Sequence, residues 1–245
     1  MANKQFNTEC VVEREIDRWN RLWQQFGEYI FYKPNMKVTN EIINLFGGKV
    51  AGKKILEVGA GSGSDCITLA KSGGECFALD FSKEALRVCQ QLAKKENVEV
   101  KGIIADCRQI PIRDDFFDLV FSVGLVEHFK DPIPVLKEQL RVLKKGRFLI
   151  VDVPQKYNLY TIVKHLKIRH DSHPFGWETE YALADLKKIA GLLKVKPIRF
   201  YGRGSAFLGR LPNVFDFWWR KVFAKIEESK LAPFICLNIG AFYQK

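Results

Sequence analysis

Three glycines in the stretch ILEVGAGSGSD, residues 55–65, are the first residues whose type and spacing suggest chemistry. Gly59, Gly61 and Gly63 follow an apolar run, and the lack of side chains there lets a ligand lie against the backbone. Asp80 ends the next apolar run, ECFALD, about 20 residues further on, where an acid can hold a ribose diol. Together these residues predict a site for a nucleotide-like cofactor.

The charges around the glycines separate two cofactor classes that use such loops, nicotinamide dinucleotides and S-adenosylmethionine. A dinucleotide places its pyrophosphate at the N-terminus of the helix after the loop. Here that helix begins near Asp65, and Glu57 precedes the first glycine, so two carboxylates would repel a pyrophosphate. They would attract an ammonium and a sulfonium instead. The charges favour S-adenosylmethionine, and an NAD(P)-dependent oxidoreductase with an atypical loop is the alternative.

The elements that must position these residues appear as alternating strand and helix patterns. Five segments have the pattern of buried strands: KKILEVG, ECFALD, VEVKGIIAD, FDLVFSVG and RFLIVDVP. Three segments between them have helical patterns: SDCITLAKSGG, SKEALRVCQQLAKKE with Ser82 as N-cap, and IPVLKEQLRVLKKG, which we expect to end at Gly146. This alternation predicts an α/β fold in which helices cover both faces of a parallel sheet.

The chain on either side of this alternation has a different pattern. Apolar residues at spacings of three and four predict an amphipathic helix within residues 11–30, and Met36–Phe46 is a second predicted helix. Beyond Pro154, ETEYALADLKKIAG predicts a helix, and KVKPIRFYG and PFICLNIGAFYQ predict strands. We expect a helical cap at 1–50 and one domain at 51–245, with a cofactor-binding half at 51–154, a substrate-side half at 155–245 and a helical insertion at about 203–232.

With these residues in view, the chain resembles the class I S-adenosylmethionine-dependent methyltransferases, in particular the small-molecule, methyltransferase type 11-like group. The resemblance covers residues 50–155 well and the remainder loosely. Its motifs are EVGAGSG, LDFS, IIADCRQIPIRDDFFDLV, VGLVEHF and LRVLKKGRFLIVDVP, in that order. The resemblance implies a doubly wound, mostly parallel seven-stranded Rossmann-like sheet with an antiparallel last strand.

The resemblance also implies which residues bind S-adenosylmethionine and its product, S-adenosylhomocysteine. They are Glu57, Gly59, Ala60, Gly61 and Gly63 for the methionine portion, Asp80 for the ribose hydroxyls, Phe81 beside the adenine, Asp106 and Cys107 at the adenine edge, and Val123 below the site. A plain core contact is an equal alternative for Phe81. For Cys107 we favour a buried small residue whose backbone amide matters more than its sulfur.

Methyl transfer needs alignment and a water-poor site, and it needs a general base only if the nucleophile must lose a proton. His128 in VGLVEHF is the candidate base, because that position faces the methyl group in relatives; a structural histidine is the equal alternative. Candidate substrate-binding residues are Tyr29 and Tyr32 in the cap, and His173 and Trp177 after the fifth strand.

Aromatic residues concentrate in the three segments that form the substrate pocket in the family. They are Trp19, Trp23 and Tyr29; Tyr157, Tyr160, Phe175 and Trp177; and Phe215, Phe217, Trp218 and Trp219. Residues 1–126 carry equal numbers of basic and acidic side chains, so the net charge of +11 lies in 127–245. We expect a small, apolar or amphiphilic acceptor that carries an anionic group.

Several other functions are disfavoured by what the sequence contains. GLVEHF stands where enzymes that methylate nucleic-acid amino groups carry an Asn/Asp-Pro-Pro-aromatic motif, so we expect no DNA substrate, and no RNA-binding module accompanies the basic charge. The six scattered cysteines have no metal-ligand spacing, so we expect no metal and a reducing, cytoplasmic compartment. The basic aromatic helix 214–229 would suit a membrane surface, although packing on the sheet or on a second subunit is favoured. The oligomeric state, monomer or homodimer, remains open. A non-catalytic protein of the same fold remains an alternative to the enzyme.

Overall fold

The computed structural model of the chain describes residues 17–25, 34–158, 161, 178–204 and 225–245. The chain forms two compact units, Met1–Val120 and Phe121–Lys245. Tyr29, Tyr32, His173 and Trp177 lie outside the described residues, as do most of the aromatic positions expected near the substrate and residues 214–224 of the basic helix. Their predicted roles stay predictions.

Seven strands form one sheet in the order β3-β2-β1-β4-β5-β7-β6. Their bounds are β1 Lys54–Val58, β2 Glu75–Asp80, β3 Val100–Ile104, β4 Phe117–Val123, β5 Leu143–Pro154, β6 Lys196–Arg203 and β7 Asn238–Gln244. β2 pairs in parallel with β1 and β3, whereas β7 runs antiparallel to both β5 and β6. The predicted α/β architecture, with seven strands and an antiparallel last strand, is confirmed.

Helices lie around the sheet. They are α1 (residues 17–25), α2 Met36–Leu45, α3 Ser64–Lys71, α4 Lys83–Lys95, α5 Ile133–Val142, α6 Leu183–Leu193 and α7 Ala232–Ile235, with a 3-10 turn at Val126–His128 and a helical stretch at residues 225–228. Ser82 is the N-cap of α4, as predicted, because its hydroxyl oxygen accepts the Ala85 N–H (3.2 Å). Within the described parts of the chain, no helix has the length and apolar character that a membrane crossing requires.

Several predicted element boundaries are wrong; for example, the helix expected over ETEYALADLKKIAG is Leu183–Leu193. Two of these differences have a cause in contacts between distant residues. α5 ends at Val142 instead of Gly146, and the residues from Leu143 onward extend into β5. The C-terminal residue explains this change: the Lys245 amine donates to the Leu143 carbonyl (2.6 Å), and its backbone N–H donates to the Arg147 carbonyl (3.0 Å). A partner about 100 residues away thus ends the helix, and no local signal could have shown it.

The second of these two boundaries is the start of the last strand, which was expected at Pro233. Ala232–Ile235 is instead a helical turn, and β7 begins at Asn238. The Ala232 carbonyl lies directly against Gly202 of β6, where a Cβ would overlap it. The glycine therefore admits a turn of helix where a strand was predicted.

Candidate functional site

The glycine loop connects β1 to α3 in the first unit. Gly59, Gly61 and Gly63 have φ angles of 70°, 53° and 64°, in the left-handed region that strains other residues. The N–H groups of Gly59 and Ala60 both donate to the Leu79 carbonyl of the neighbouring strand (2.8 and 3.0 Å). Glycine at every second position is therefore a requirement of the backbone path.

Side chains from two helices lie against the loop glycines. A Cβ placed on Gly63 would overlap the Cys89 Sγ of α4, and one placed on Gly61 would lie 2.6 Å from Cζ2 of Trp23. The loop backbone is thus enclosed on two sides, and its position depends on α1 and α4 as well as on its own glycines.

Asp80 lies at the end of β2 and is 7% exposed. Its two carboxylate oxygens accept one backbone N–H each, from Gly61 (2.9 Å) and from Ser82 (2.8 Å). Burial raises the pKa of Asp80, and the hydrogen bonds from Ser82, Gly61 and Phe81 partly offset that rise. A carboxylate has about four lone-pair directions, so at least one remains that can accept a hydroxyl donor. This arrangement suits the predicted ribose contact.

Glu57 is buried at the other side of the loop. Its carboxylate accepts the Cys66 N–H (3.1 Å) at the N-terminus of α3. Burial and the nearby charge of Asp65 raise the pKa of Glu57 well above its usual range. A dinucleotide would place its pyrophosphate on these same amides, and the carboxylate already bonded there opposes it.

Asp65 has a structural bond that the sequence did not suggest. It is buried, and its carboxylate accepts the backbone N–H of Asn35, the N-cap residue of α2. Asp65 therefore also anchors the N-terminus of α2. Its negative charge adds to the effect of burial in raising the pKa of Glu57.

Asp106 and Cys107 follow β3 at the same edge of the first unit. The Asp106 carboxylate accepts hydrogen bonds from the backbone N–H of Arg108 (2.8 Å) and from its guanidinium (2.5 to 3.0 Å). Burial acts to raise the pKa of Asp106, but the bonds and charge of Arg108 outweigh it and the net shift is downward. Cys107 is a buried thiol, and burial raises its pKa to about 12. An inert sulfur fits the favoured backbone role for Cys107.

In the second unit, β4 ends at Val123, and the turn that carries His128 follows it. The His128 N–H donates to the Leu125 carbonyl (3.2 Å), and the carbonyl of the buried Glu127 accepts the Thr179 N–H (2.9 Å). The Tyr181 hydroxyl reaches the Val126 carbonyl (3.5 Å). Residues 178–181 therefore hold this turn, whereas the role of His128 as a base stays a prediction.

A family model for a methyltransferase domain matches residues 56–151. The chain is 34% identical over 128 residues to the uncharacterised methyltransferase YcgJ of Bacillus subtilis, covering 50% of this chain and 51% of that protein. It is 40% identical over 170 residues to the demethylmenaquinone methyltransferase of Clavibacter sepedonicus, covering 60% of this chain and 68% of that enzyme. This chain belongs to the class I S-adenosylmethionine-dependent methyltransferases.

A solved structure supports the fold of this methyltransferase family member. Magnesium protoporphyrin IX methyltransferase from Synechocystis PCC 6803, determined with bound S-adenosylhomocysteine, aligns with a TM-score of 0.63 at 15% identity over 94% of this chain and 93% of that one. At this identity the likeness shows the fold alone. The chain spans about half the length of the first curated relatives it matches, with 51%, 40% and 58% of their residues covered.

The residues present fit the methyl donor of the family better than a dinucleotide. The carboxylate of Glu57 occupies the α3 amide that an anion would need, and Asp80 has acceptor capacity for a ribose hydroxyl. The dinucleotide alternative is therefore not favoured. Among the described residues, no three His, Cys, Asp or Glu side chains cluster in a way that could hold a metal ion.

The structure also shows residues at the site that the sequence analysis did not assign. Cys89 lies beneath Gly63, and Asn20 and Trp23 of α1 contact the residues around Asp80. Cys89 gave no signal beyond its place on the buried face of α4. Trp23 was predicted only as an apolar helix residue near the acceptor, because helical periodicity does not reveal which surface a helix covers.

Proposed function

We propose that this protein transfers a methyl group from S-adenosylmethionine to a small, apolar or amphiphilic acceptor. The observation that carries the proposal is the pairing of two buried carboxylates with the glycine loop. Glu57 accepts the Cys66 N–H in the first turn of α3, and Asp80 accepts the N–H of Gly61 in the loop and that of Ser82 after β2. Family membership supplies the reaction class. When bound, S-adenosylmethionine supplies a sulfonium carbon as the electrophile.

The chain's own residues bind and orient the donor. Asp80 would accept the ribose hydroxyls through its remaining acceptor capacity, and the backbone of Gly59 and Gly61 would lie along the methionine portion. Glu57 would favour the cationic end of the donor by charge. Asp106 would accept the adenine amino group. Because it is now bonded to Arg108, that contact requires the guanidinium to move.

The nature of the acceptor is supported by the relatives and by composition. Relatives are named for demethylmenaquinone, norajmaline and ubiquinone biosynthesis, all with small-molecule acceptors. We propose an acceptor of similar apolar, ring-containing character, and an anionic group would suit the net charge of +11. His128 would act as the general base if the acceptor atom is a hydroxyl.

The five described cysteines, Cys66, Cys76, Cys89, Cys107 and Cys236, are buried and form no disulfide bond. This supports our proposal that the protein works in a reducing, cytoplasmic compartment.

Calorimetric titration with S-adenosylmethionine tests the donor assignment. We expect the wild type to bind, and Asp80→Ala to bind at least about tenfold more weakly, since hydrogen bonds to a charged group contribute roughly 1.5–3 kcal/mol. Glu99→Ala removes an exposed acid from the same unit and serves as the control. Binding that is absent in the wild type, or indifferent to Asp80, would refute the assignment.

Release of S-adenosylhomocysteine tests catalysis separately from binding. We expect release to rise when demethylmenaquinone is added and to stay at background with a small polar amine. Binding of the donor without release in any acceptor mixture would favour the non-catalytic alternative. His128→Asn should lower turnover of a hydroxyl acceptor and leave the affinity for the donor unchanged, because its predicted role is confined to the acceptor proton.

A further inference from the structure

Helix α1 contacts the candidate site through side chains on one of its faces. Asn20, Trp23 and Gln24 are spaced by three and four residues, so they project from the same side of the helix. Gln24 bonds the half-buried Glu84 at the start of α4, whereas the other two reach residues next to Asp80. The face therefore lies along the glycine loop and the turn that follows β2.

Trp23 lies directly on the loop. The side chain is only 6% exposed, and its ring atoms Cζ2 and Cη2 are 2.6 and 2.9 Å from the place that a Cβ on Gly61 would occupy. The Trp23 indole packs against Gly61 and therefore restricts the movement of the Gly61 backbone. The N–H of Gly61 is one of the two donors to Asp80 (2.9 Å).

Asn20 fixes the other donor to Asp80. The Ser82 hydroxyl donates to Oδ1 of Asn20 (2.6 Å) while its oxygen accepts the Ala85 N–H (3.2 Å). The backbone N–H of the same serine donates to Asp80 (2.8 Å). A helix that served only to bury apolar surface would not need a polar residue at this position.

The two contacts converge on one carboxylate. Asp80 is held by the amides of Gly61 and Ser82, and α1 contacts both of those residues through separate side chains. Both side chains precede residues 56–151, the part of the chain that the family model matches. The contacts that Asn20 and Trp23 make are therefore not part of the glycine motif.

We propose that Asn20 and Trp23 are positioning residues of the cofactor site, which set donor affinity by fixing the two amides that orient Asp80. The inference rests on the proposed function, since it takes Asp80 as the residue that binds the ribose. It adds that α1 belongs to the donor site, and that a chain lacking this helix would keep the glycine motif but bind the nucleoside weakly.

Calorimetric titration with S-adenosylhomocysteine tests the proposal in a set of full-length variants. Asn20→Ala should weaken binding about threefold to tenfold, the range expected for loss of one hydrogen bond. Asn20→Gln retains an amide oxygen acceptor without adding a charge and should bind more tightly than Asn20→Ala. Trp23→Ala should weaken binding more than tenfold, because the loop loses its packing partner. Arg21→Ala, an exposed position on the same helix, is the matched control and should bind as the wild type does.

A double-mutant cycle separates positioning from a general structural role. If Asn20 acts through Asp80, adding Asn20→Ala to Asp80→Ala should cause no further loss of affinity. Independent, additive losses would overturn the proposal. Thermal unfolding of each variant gives the temperature range in which all are fully folded. The titrations are made in that range, so that an unfolded fraction is not mistaken for weak binding.

The outcomes distinguish this inference from the function on which it rests. No binding of S-adenosylhomocysteine by the wild type would refute the proposed function. Binding by the wild type that is equally tight in Asn20→Ala and Trp23→Ala would overturn the role of α1 alone and leave the function standing.

Discussion

The contact between Gly63 and Cys89 leads to a prediction in which a destabilised loop is rescued from a distant helix. Gly63 has a φ of 64°, and a Cβ added there would overlap the Cys89 Sγ while standing 3.3 Å from the Cys89 Cβ. Gly63→Ala therefore has two separable costs, one for the backbone conformation and one for the overlap. Only the second involves Cys89.

The size of each cost follows from the geometry. A left-handed conformation costs a residue with a Cβ about 1–2 kcal/mol. Overpacking of a buried site costs about 1–3 kcal/mol, so Gly63→Ala should lower the free energy of unfolding by about 2–5 kcal/mol in total. Cys89→Ala alone should cost about 1 kcal/mol, as the loss of one buried methyl-sized group does. In the double variant the overlap disappears, which predicts a favourable coupling of about 1–3 kcal/mol.

Urea unfolding of the wild type, both single variants and the double variant measures this coupling. Gly48→Ala is a matched control, because Gly48 also has a left-handed φ, 88°, but nothing within 4 Å of its Cβ position. It should lose about 1–2 kcal/mol, and that loss should not respond to Cys89→Ala. Donor binding should follow the same order, absent or weak in Gly63→Ala and restored in the double variant.

Additivity would refute the reasoning. If the stability loss of the double variant lies within about 0.5 kcal/mol of the sum of the two single losses, the Cys89 sulfur does not obstruct a methyl group at position 63. The loss in Gly63→Ala is then due to the backbone conformation alone.

Three further substitutions test the charges of the molecule. Glu57→Gln keeps an acceptor for the Cys66 N–H and should be at least as stable as the wild type in thermal unfolding at neutral pH. Burial raises the pKa of Glu57, so the folded wild type holds a proton that the unfolded chain has lost. The stability of the wild type therefore falls as pH rises from the ordinary carboxyl pKa through the raised one. The same variant should bind S-adenosylmethionine about tenfold more weakly in calorimetry; lower stability at neutral pH together with unchanged affinity would contradict this. Arg203→Ala leaves the fully buried carboxylate of Asp152 without its bidentate partner (2.7 and 3.0 Å). It should lower the free energy of unfolding in urea by about 3–5 kcal/mol. A loss near zero would mean that water reaches Asp152. Arg108→Ala should tighten S-adenosylhomocysteine binding by up to about fivefold. The part-exposed ion pair between Arg108 and Asp106 contributes at most about 1 kcal/mol and must open before Asp106 can accept the adenine amino group. Weaker binding would argue against Asp106 as the adenine acceptor.

Features that depend on neighbouring residues were predictable from the sequence. The glycine spacing, the N-cap at Ser82 and the acid at the end of β2 each reflect a local backbone requirement, and the structure has all three. The alternation of strand and helix patterns was sufficient for the parallel strands, because parallel strands need crossover helices between them. The antiparallel last strand was implied only by the family resemblance.

Features that depend on distant partners were not predictable. The end of α5 is set by Lys245, and the helical turn at Ala232 is admitted by Gly202. Likewise, the periodicity of residues 11–30 indicated a helix face, but not that Trp23 would lie on Gly61. Each of these depends on a contact between residues far apart in the chain, for which a single sequence contains no signal.

The charges of the first unit suggest why such a loop holds several buried acids. Glu57, Asp65 and Asp80 are all buried, and burial raises the pKa of both Glu57 and Asp80. Buried carboxylates oppose folding unless they are paired, and the hydrogen bonds that Glu57 and Asp80 accept from Cys66, Gly61 and Ser82 come from backbone N–H groups. The raised pKa values mean that burial makes the ionised form of each of these two carboxylates costly in the folded chain. A cationic donor bound beside Glu57 would favour the ionised carboxylate, and binding would then stabilise the fold by the same interaction that selects the ligand.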